Sequence, residues 1–263
     1  MIEGLGELMR RRRFFKYLIL EKYGRITFDM SIDDLASVLY TKTFADVDHL
    51  LESCVRVARC NNQKSVSEKQ IMDAVLRRYY SVNTVAECLT EKRIRETCIH
   101  EIGHAIIAEQ LMPGSVGYVS IWTDGSGSPM GSTMIIREDI EFKGCMDEVK
   151  VLLGGIAAEE ICNGYISPGC GDDINRAINI LTTLVGREGC YGLEYIDHYT
   201  ERSGNQQDIY NKIVREILDK AFQEVKIKID PYKNPAIKAR DFLRHKGYIL
   251  NNDLCELFLQ KKE

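Results

Sequence analysis

The sequence predicts a mainly α protein with a small β element. The first ninety residues contain no proline and repeat apolar side chains at helical spacing. Two short apolar runs flank a loop of turn-forming residues between 116 and 137, and these are the strand candidates. From about Cys145 to the end the helical spacing returns, with breaks near Gly169, Gly192, Asp230-Pro231 and Gly247.

Taken in order, Leu8 to Leu20 reads as one helix. "SIDDLASVLY" opens with Ser31, whose hydroxyl can cap a free N–H, and Asp33 and Asp34 suit the positive end of the helix dipole. "FADVDHLLESCVRVARC" places Val47, Leu50, Leu51, Cys54, Val55 and Val57 at helical spacing. "NNQKS" is a turn, and Ser67 with Gln70 three residues later forms a capping-box pattern for the next helix. A small four-helix bundle over 1–80 is therefore expected, followed by a less regular connector at 81–90. A helix ending near Pro113-Gly114 follows, and then the strands "VGYVSIW" and "GSTMIIR" around "TDGSGSPM". The glycines of that loop miss the spacing of a phosphate cradle, and a strand rather than a helix comes after it, so it reads as a hairpin loop.

At 263 residues with 44% hydrophobic content, the chain can bury a sizeable core without staples. A net charge of −4 does not suit a nucleic-acid or anionic-membrane partner. The one basic run, Arg10 to Arg13, reads as a solvated helix face. Nine cysteines, an odd number with no CxxC, speak against a disulfide framework or a zinc ribbon and fit a reducing cytoplasm. No apolar stretch approaches the ~20 residues of a membrane span, so the chain reads as soluble and intracellular.

The chemistry is concentrated in "CIHEIGHAII", 98–107. His100 and His104 are four residues apart, which on a helix puts them on one face, one turn apart. Two imidazoles so placed can reach one metal ion, and zinc is the usual ion for such ligands. Glu101 would sit beside the metal. Zinc lowers the pKa of a bound water from near 16 to ~7. Glu101 can then take a proton from the attacking water and pass it to the leaving amine. That is peptide-bond hydrolysis. Gly103 costs a helix about 1 kcal/mol relative to alanine, so its presence implies a second segment packed close to this turn.

A catalytic zinc site needs three protein ligands and one open position. No third histidine follows in 105–111, "AIIAEQL". Two later segments compete: "LLGGIAAEEI" with Glu159 and Glu160, and "GCGDDINRA" with Asp172 and Asp173 at a helix start. Acids in a first helical turn also have a purely structural use. Spacing does not choose between them.

"HEIGHA", "LLGGIAAEE" and "DDINRA", in this order, resemble the peptidase domain of the FtsH family of AAA-type ATP-dependent zinc metalloproteases. The resemblance implies an FtsH-type helical metalloprotease domain over 91–263, preceded by an AAA-lid-like helical subdomain over 1–80. It implies that Asp173, in "DINRA", is the third zinc ligand beside His100 and His104, with Glu101 as the general base. Glu159 or Glu160 is then left to orient a liganding histidine. The strand "GYVSI" falls where the family has an edge strand beside the zinc, to which extended polypeptide can add.

The pattern also departs from the family. Ile156 replaces the arginine of the GGRAAEE-type motif, and in "FADVD" Asp46 replaces the glycine that approaches nucleotide. No GxxxxGK[ST] occurs, so no ATPase activity of its own is expected. The resemblance implies a zinc metalloendopeptidase acting on unfolded or flexible polypeptide. It implies a hexameric ring, and it leaves open a shortened relative working without ATP, a piece of a longer protein, or work with a separate ATPase. The rival reading is a non-catalytic, protease-like subunit.

Overall fold

The computed structural model describes residues 2–23, 26–80, 91–123, 129–136, 142–186, 188, 190–191 and 204–259. The connector expected at 81–90 and the break near Gly192 lie outside the described residues. The fold is mainly α with a small sheet, as the apolar spacing predicts. Two compact units divide the chain, and they interleave along the sequence. One holds residues 1–97, 114–138 and 242–263; the other holds 98–113 and 139–241.

The first unit begins with α1 (Ile2–Tyr17), which passes into a π-helical turn over Leu18–Lys22 where a single helix to Leu20 is expected. The turn closes with Tyr23 N–H donating to the Leu18 carbonyl at 2.9 Å. Then come α2 (Ile32–Val38), α3 (Phe44–Cys60) and α4 (Glu68–Tyr80). Two-residue strands β1 (Thr27–Phe28) and β2 (Ser65–Val66) pair in parallel between them. The caps are those the sequence signals. Ser31 Oγ accepts the Asp34 N–H at 3.0 Å, and Ser67 and Gln70 exchange bonds of 2.8 and 3.2 Å. Asp46 has a local use as well. Thr43 Oγ1 accepts its N–H at 3.1 Å and donates to its carboxylate at 2.7 Å, and Arg78 stands 3.4 Å from the other oxygen.

The hairpin strands are β3 (Val116–Thr123) and β4 (Pro129–Ile135). A third strand, β5 (Tyr248–Leu250), pairs antiparallel with the other side of β3, with Val119 opposite Ile249. The order β4-β3-β5 corrects the expectation that "GYVSI" is an edge: β3 is central, and among the described residues β4 and β5 are the edges. The reason is β5, too short to show a period-two signal and hidden between α9 (Lys233–Lys246) and α10 (Asn251–Leu259). Gly247, at φ +83°, makes the turn from α9 into β5. Tyr118, Met134 and Leu250 of the sheet share one core with Phe15, Leu35, Leu51 and Ile71 of the helices.

Arg11 also departs from expectation. It is buried, and its guanidinium donates to the carbonyls of Leu39 at 3.0 Å and Lys42 at 2.8 Å, beneath the rings of Tyr40 and Phe44. These carbonyls follow the end of α2, where helical partners run out. Arg10 and Arg13 are exposed, and Arg12 pairs with Asp33 at 2.7 Å. The run is thus one structural arginine among surface ones. Arg11→Ala is expected to destabilise the chain by about 2–3 kcal/mol, the range for hydrogen bonds to a charged group plus lost packing. Urea unfolding would measure it, and a shift no larger than that of Arg13→Ala would refute the structural role.

The second unit is helical. The Cys98–Leu111 part of α5 (Glu91–Leu111) joins α6 (Phe142–Asn163), α7 (Gly171–Gly186) and α8 (Gly204–Ile229). The helices α6, α7 and α8 each pack on the other two. Among the described residues no helix is long and apolar enough to cross a membrane.

Candidate metal centre

The centre lies within the second unit and starts from a close helix contact. A Cβ on Gly103 would stand 2.3 Å from the Gly154 carbonyl oxygen, and one on Gly154 would stand 2.6 Å from the Gly103 oxygen. Only glycine permits that approach, which is the close packing that Gly103 signals in the sequence. One residue further along α6, a Cβ on Gly155 would meet three ring atoms of His100 at 2.6–2.7 Å. The His100 ring therefore rests directly on the α6 backbone.

His100 and His104 stand one turn apart on α5, their rings 4.6 Å apart and nearly perpendicular at 84°. Asp173 arrives in the first turn of α7. Its Oδ2 lies 2.9 Å from His100 Nε2 and 3.3 Å from His104 Nε2. The donor atoms of these three residues all fall within 4.8 Å of one another. The other candidates from the sequence are elsewhere. Glu159 sits on the far nitrogen of His100, with Oε1 2.7 Å from Nδ1; Glu160 pairs with Lys226 at 2.7 Å; Asp172 is exposed. Glu101 is buried in the same helical turn as His100.

Each histidine is also held from behind. His104 Nδ1 is 2.7 Å from the Val151 carbonyl. A carbonyl only accepts, so Nδ1 carries a hydrogen, and Nε2 is the nitrogen that faces Asp173. A carboxylate beside two imidazole nitrogens is satisfied by a proton or a cation placed between them. A set of two imidazole nitrogens and one carboxylate oxygen, held in orientation, fits zinc with three protein ligands.

The charges in the metal-free chain follow the same geometry. Burial alone would lower the His100 pKa, but the carboxylates of Asp173 and Glu159 outweigh it and push it up to about 10. Burial would raise Asp173, yet its bonds to the two histidines hold it well below the usual carboxylate range. Glu159 is likewise held down, against its burial, by His100 and Ser167. Ser167 has one local signal in the sequence, its place in the turn-rich "GYISPGCG" before α7.

The profile of peptidase family M41 matches residues 87–256. The chain belongs to peptidase family M41. Its M41 segment includes α5, α6 and α7, the helices that carry the centre. Among similar proteins, the ATP-dependent zinc metalloprotease FtsH of Helicobacter pylori strain J99 is 25% identical over 264 residues, covering 86% of this chain and 41% of its own. FtsH 2 of Bdellovibrio bacteriovorus is 33% identical over 166 residues, 61% of this chain and 27% of its own. FtsH of Ruminiclostridium cellulolyticum is 26% identical over 276 residues, 100% of this chain and 43% of its own. This M41 chain spans less than half the length of these relatives.

Proposed function

We propose that the chain is a zinc-dependent metalloendopeptidase that hydrolyses peptide bonds in unfolded or flexible polypeptide. His100, His104 and Asp173 are its metal ligands and Glu101 is its general base. The observation that carries this reading is the convergence of one donor atom each from His100, His104 and Asp173 within 4.8 Å. Zinc held there would polarise the scissile carbonyl and acidify a water molecule. Glu101, buried beside His100, is the residue that would accept a proton from an attacking water and return it to the departing amine as the C–N bond breaks. Glu159 and the Val151 carbonyl accept the Nδ1 hydrogens and so keep both Nε2 atoms turned toward Asp173, with which they would hold the ion.

Membership of the M41 family and the names of its relatives support the protease reading. By resemblance, residues 1–80 are a lid-like subdomain, 81–90 a connector and 91–263 the peptidase domain. By the same resemblance the chain assembles as a hexamer. It works without ATP, beside a separate ATPase, or as a piece of a longer protein. The described cysteines with free thiols suit a cytoplasmic setting.

The test is casein cleavage by the zinc-loaded chain without ATP. Activity is expected to vanish with a chelator and return with zinc, while stably folded proteins resist. Zinc bound at one ion per chain with no cleavage of any unfolded protein would defeat autonomous proteolysis and leave a partner-dependent or non-catalytic subunit.

Zinc uptake should also depend on pH. His100, with its pKa near 10 in the metal-free chain, carries both ring protons at neutral pH and must release one from Nε2 to bind. Affinity is therefore expected to rise with pH, by roughly tenfold per unit for one proton, until that pKa is passed. Calorimetry in buffers of different ionisation enthalpy should show at least one proton released at pH 7. Uptake without proton release would contradict this charge state.

A further inference from the structure

We infer that Ser167 is a positioning residue for the centre, acting through Glu159 on His100; this rests on the metal-binding reading above. Glu159 is 2% exposed, and its two carboxylate oxygens are divided between two tasks. Oε1 accepts from His100 Nδ1 at 2.7 Å. Oε2 accepts twice from Ser167, from the backbone N–H at 2.5 Å and from the hydroxyl at 2.6 Å. Both donors act on the oxygen that His100 does not use. They pin the carboxylate against rotation about its terminal bond, so that Oε1 stays in line with Nδ1.

The loop that supplies these bonds also leads into the third ligand. Cys170 Sγ donates to the Ser167 carbonyl at 3.5 Å, and the Cys170 carbonyl accepts the Ile174 N–H at 3.2 Å in the first turn of α7. Asp173 lies in that turn. One short segment, 164–170, therefore sets Asp173 directly and His100 through Glu159. Gly155 adds a floor, because the His100 ring lies where a Cβ on Gly155 would stand. The ring is thus backed by this helix and met by a carboxylate at each nitrogen, and the Ser167 hydroxyl is the outermost member of that series.

The prediction is a loss of metal affinity rather than of fold. Ser167→Ala removes the hydroxyl and keeps the backbone donor. Its zinc dissociation constant, measured by competition with a chromophoric chelator, is expected to rise about tenfold, the lower end for partners behind a metal ligand. The visible absorption of the cobalt-loaded chain should change, while circular dichroism and the urea midpoint of the metal-free chain stay near the parent's. Ser167→Thr should restore most of the affinity. Ser167→Val, equal to threonine in shape but without a hydroxyl, should not, which separates the hydroxyl from packing if the alanine variant folds poorly. In a Glu159→Gln background, Ser167→Ala should add little, because the path through Glu159 is already broken. Equal zinc affinity and an unchanged cobalt spectrum in Ser167→Ala, or equal affinities for the threonine and valine variants, would overturn the assignment alone. A parent chain that takes up no zinc would overturn the functional reading, and this one with it.

Discussion

Glu101→Gln is expected to abolish casein cleavage while zinc stays bound. Glutamine has the shape of glutamate but cannot accept the proton of the attacking water. General acid–base catalysis by a positioned side chain is worth about 10²–10⁴ in rate, so cleavage should fall at least about 100-fold. Zinc content should stay near one per chain, because the converging donor atoms belong to His100, His104 and Asp173. Casein fluorescence release and metal analysis on the same preparation would read both quantities. A variant that keeps its activity would remove Glu101 from the mechanism. A parent and a variant that both bind zinc and both fail to cleave would favour the non-catalytic subunit.

The second large effect is expected at Gly103. Its added Cβ would lie 2.3 Å from the Gly154 carbonyl oxygen, 2.6 Å from Ala158 Cβ and 2.8 Å from the Gly154 carbonyl carbon. Two of these neighbours are backbone in the middle of α6, which cannot swing aside as a side-chain tip can. Alanine would gain about 1 kcal/mol of helix propensity. Overpacking of a tight core typically costs about 1–3 kcal/mol and occasionally more, and the contact distances here belong at the upper end. Gly103→Ala is therefore expected to be destabilised by about 2 kcal/mol net. Zinc affinity should fall too, because a displaced α6 takes Gly155 and Glu159 away from His100. Gly171→Ala is the control: nothing lies within 4 Å of the added carbon, and stability should hold. A Gly103→Ala chain as stable as the parent would mean that the two helices do not approach this closely.

Sequence reasoning succeeds where the partners are local. The capping groups of α2 and α4 were legible because a cap and its N–H are within a few residues of each other. Arg11 was not legible, because the carbonyls it serves are 28 and 31 residues away and a run of four arginines looks the same whether one is buried or none is. The strand β5 was not legible either. Three residues carry almost no period, and it is a strand because β3 offers an edge to it. Ser167 carries no signal of its own, since serine in a turn is the commonest of observations.

By itself the sequence determined the helix with His100, Glu101 and His104 on one turn, because four-residue spacing is a property of the helix and not of its surroundings. It also determined, through Gly103, that something must come close to that turn. It left two acidic segments open as the source of a third ligand, and resemblance alone pointed to Asp173. Only the tertiary structure decided how they divide: Asp173 Oδ2 between the two Nε2 atoms, Glu159 on His100 Nδ1, Glu160 on Lys226. Both segments offer carboxylates beside small residues, and such local chemistry is identical before folding. What separates them is which ring nitrogen each can reach, and that depends on where α6 and α7 lie against α5.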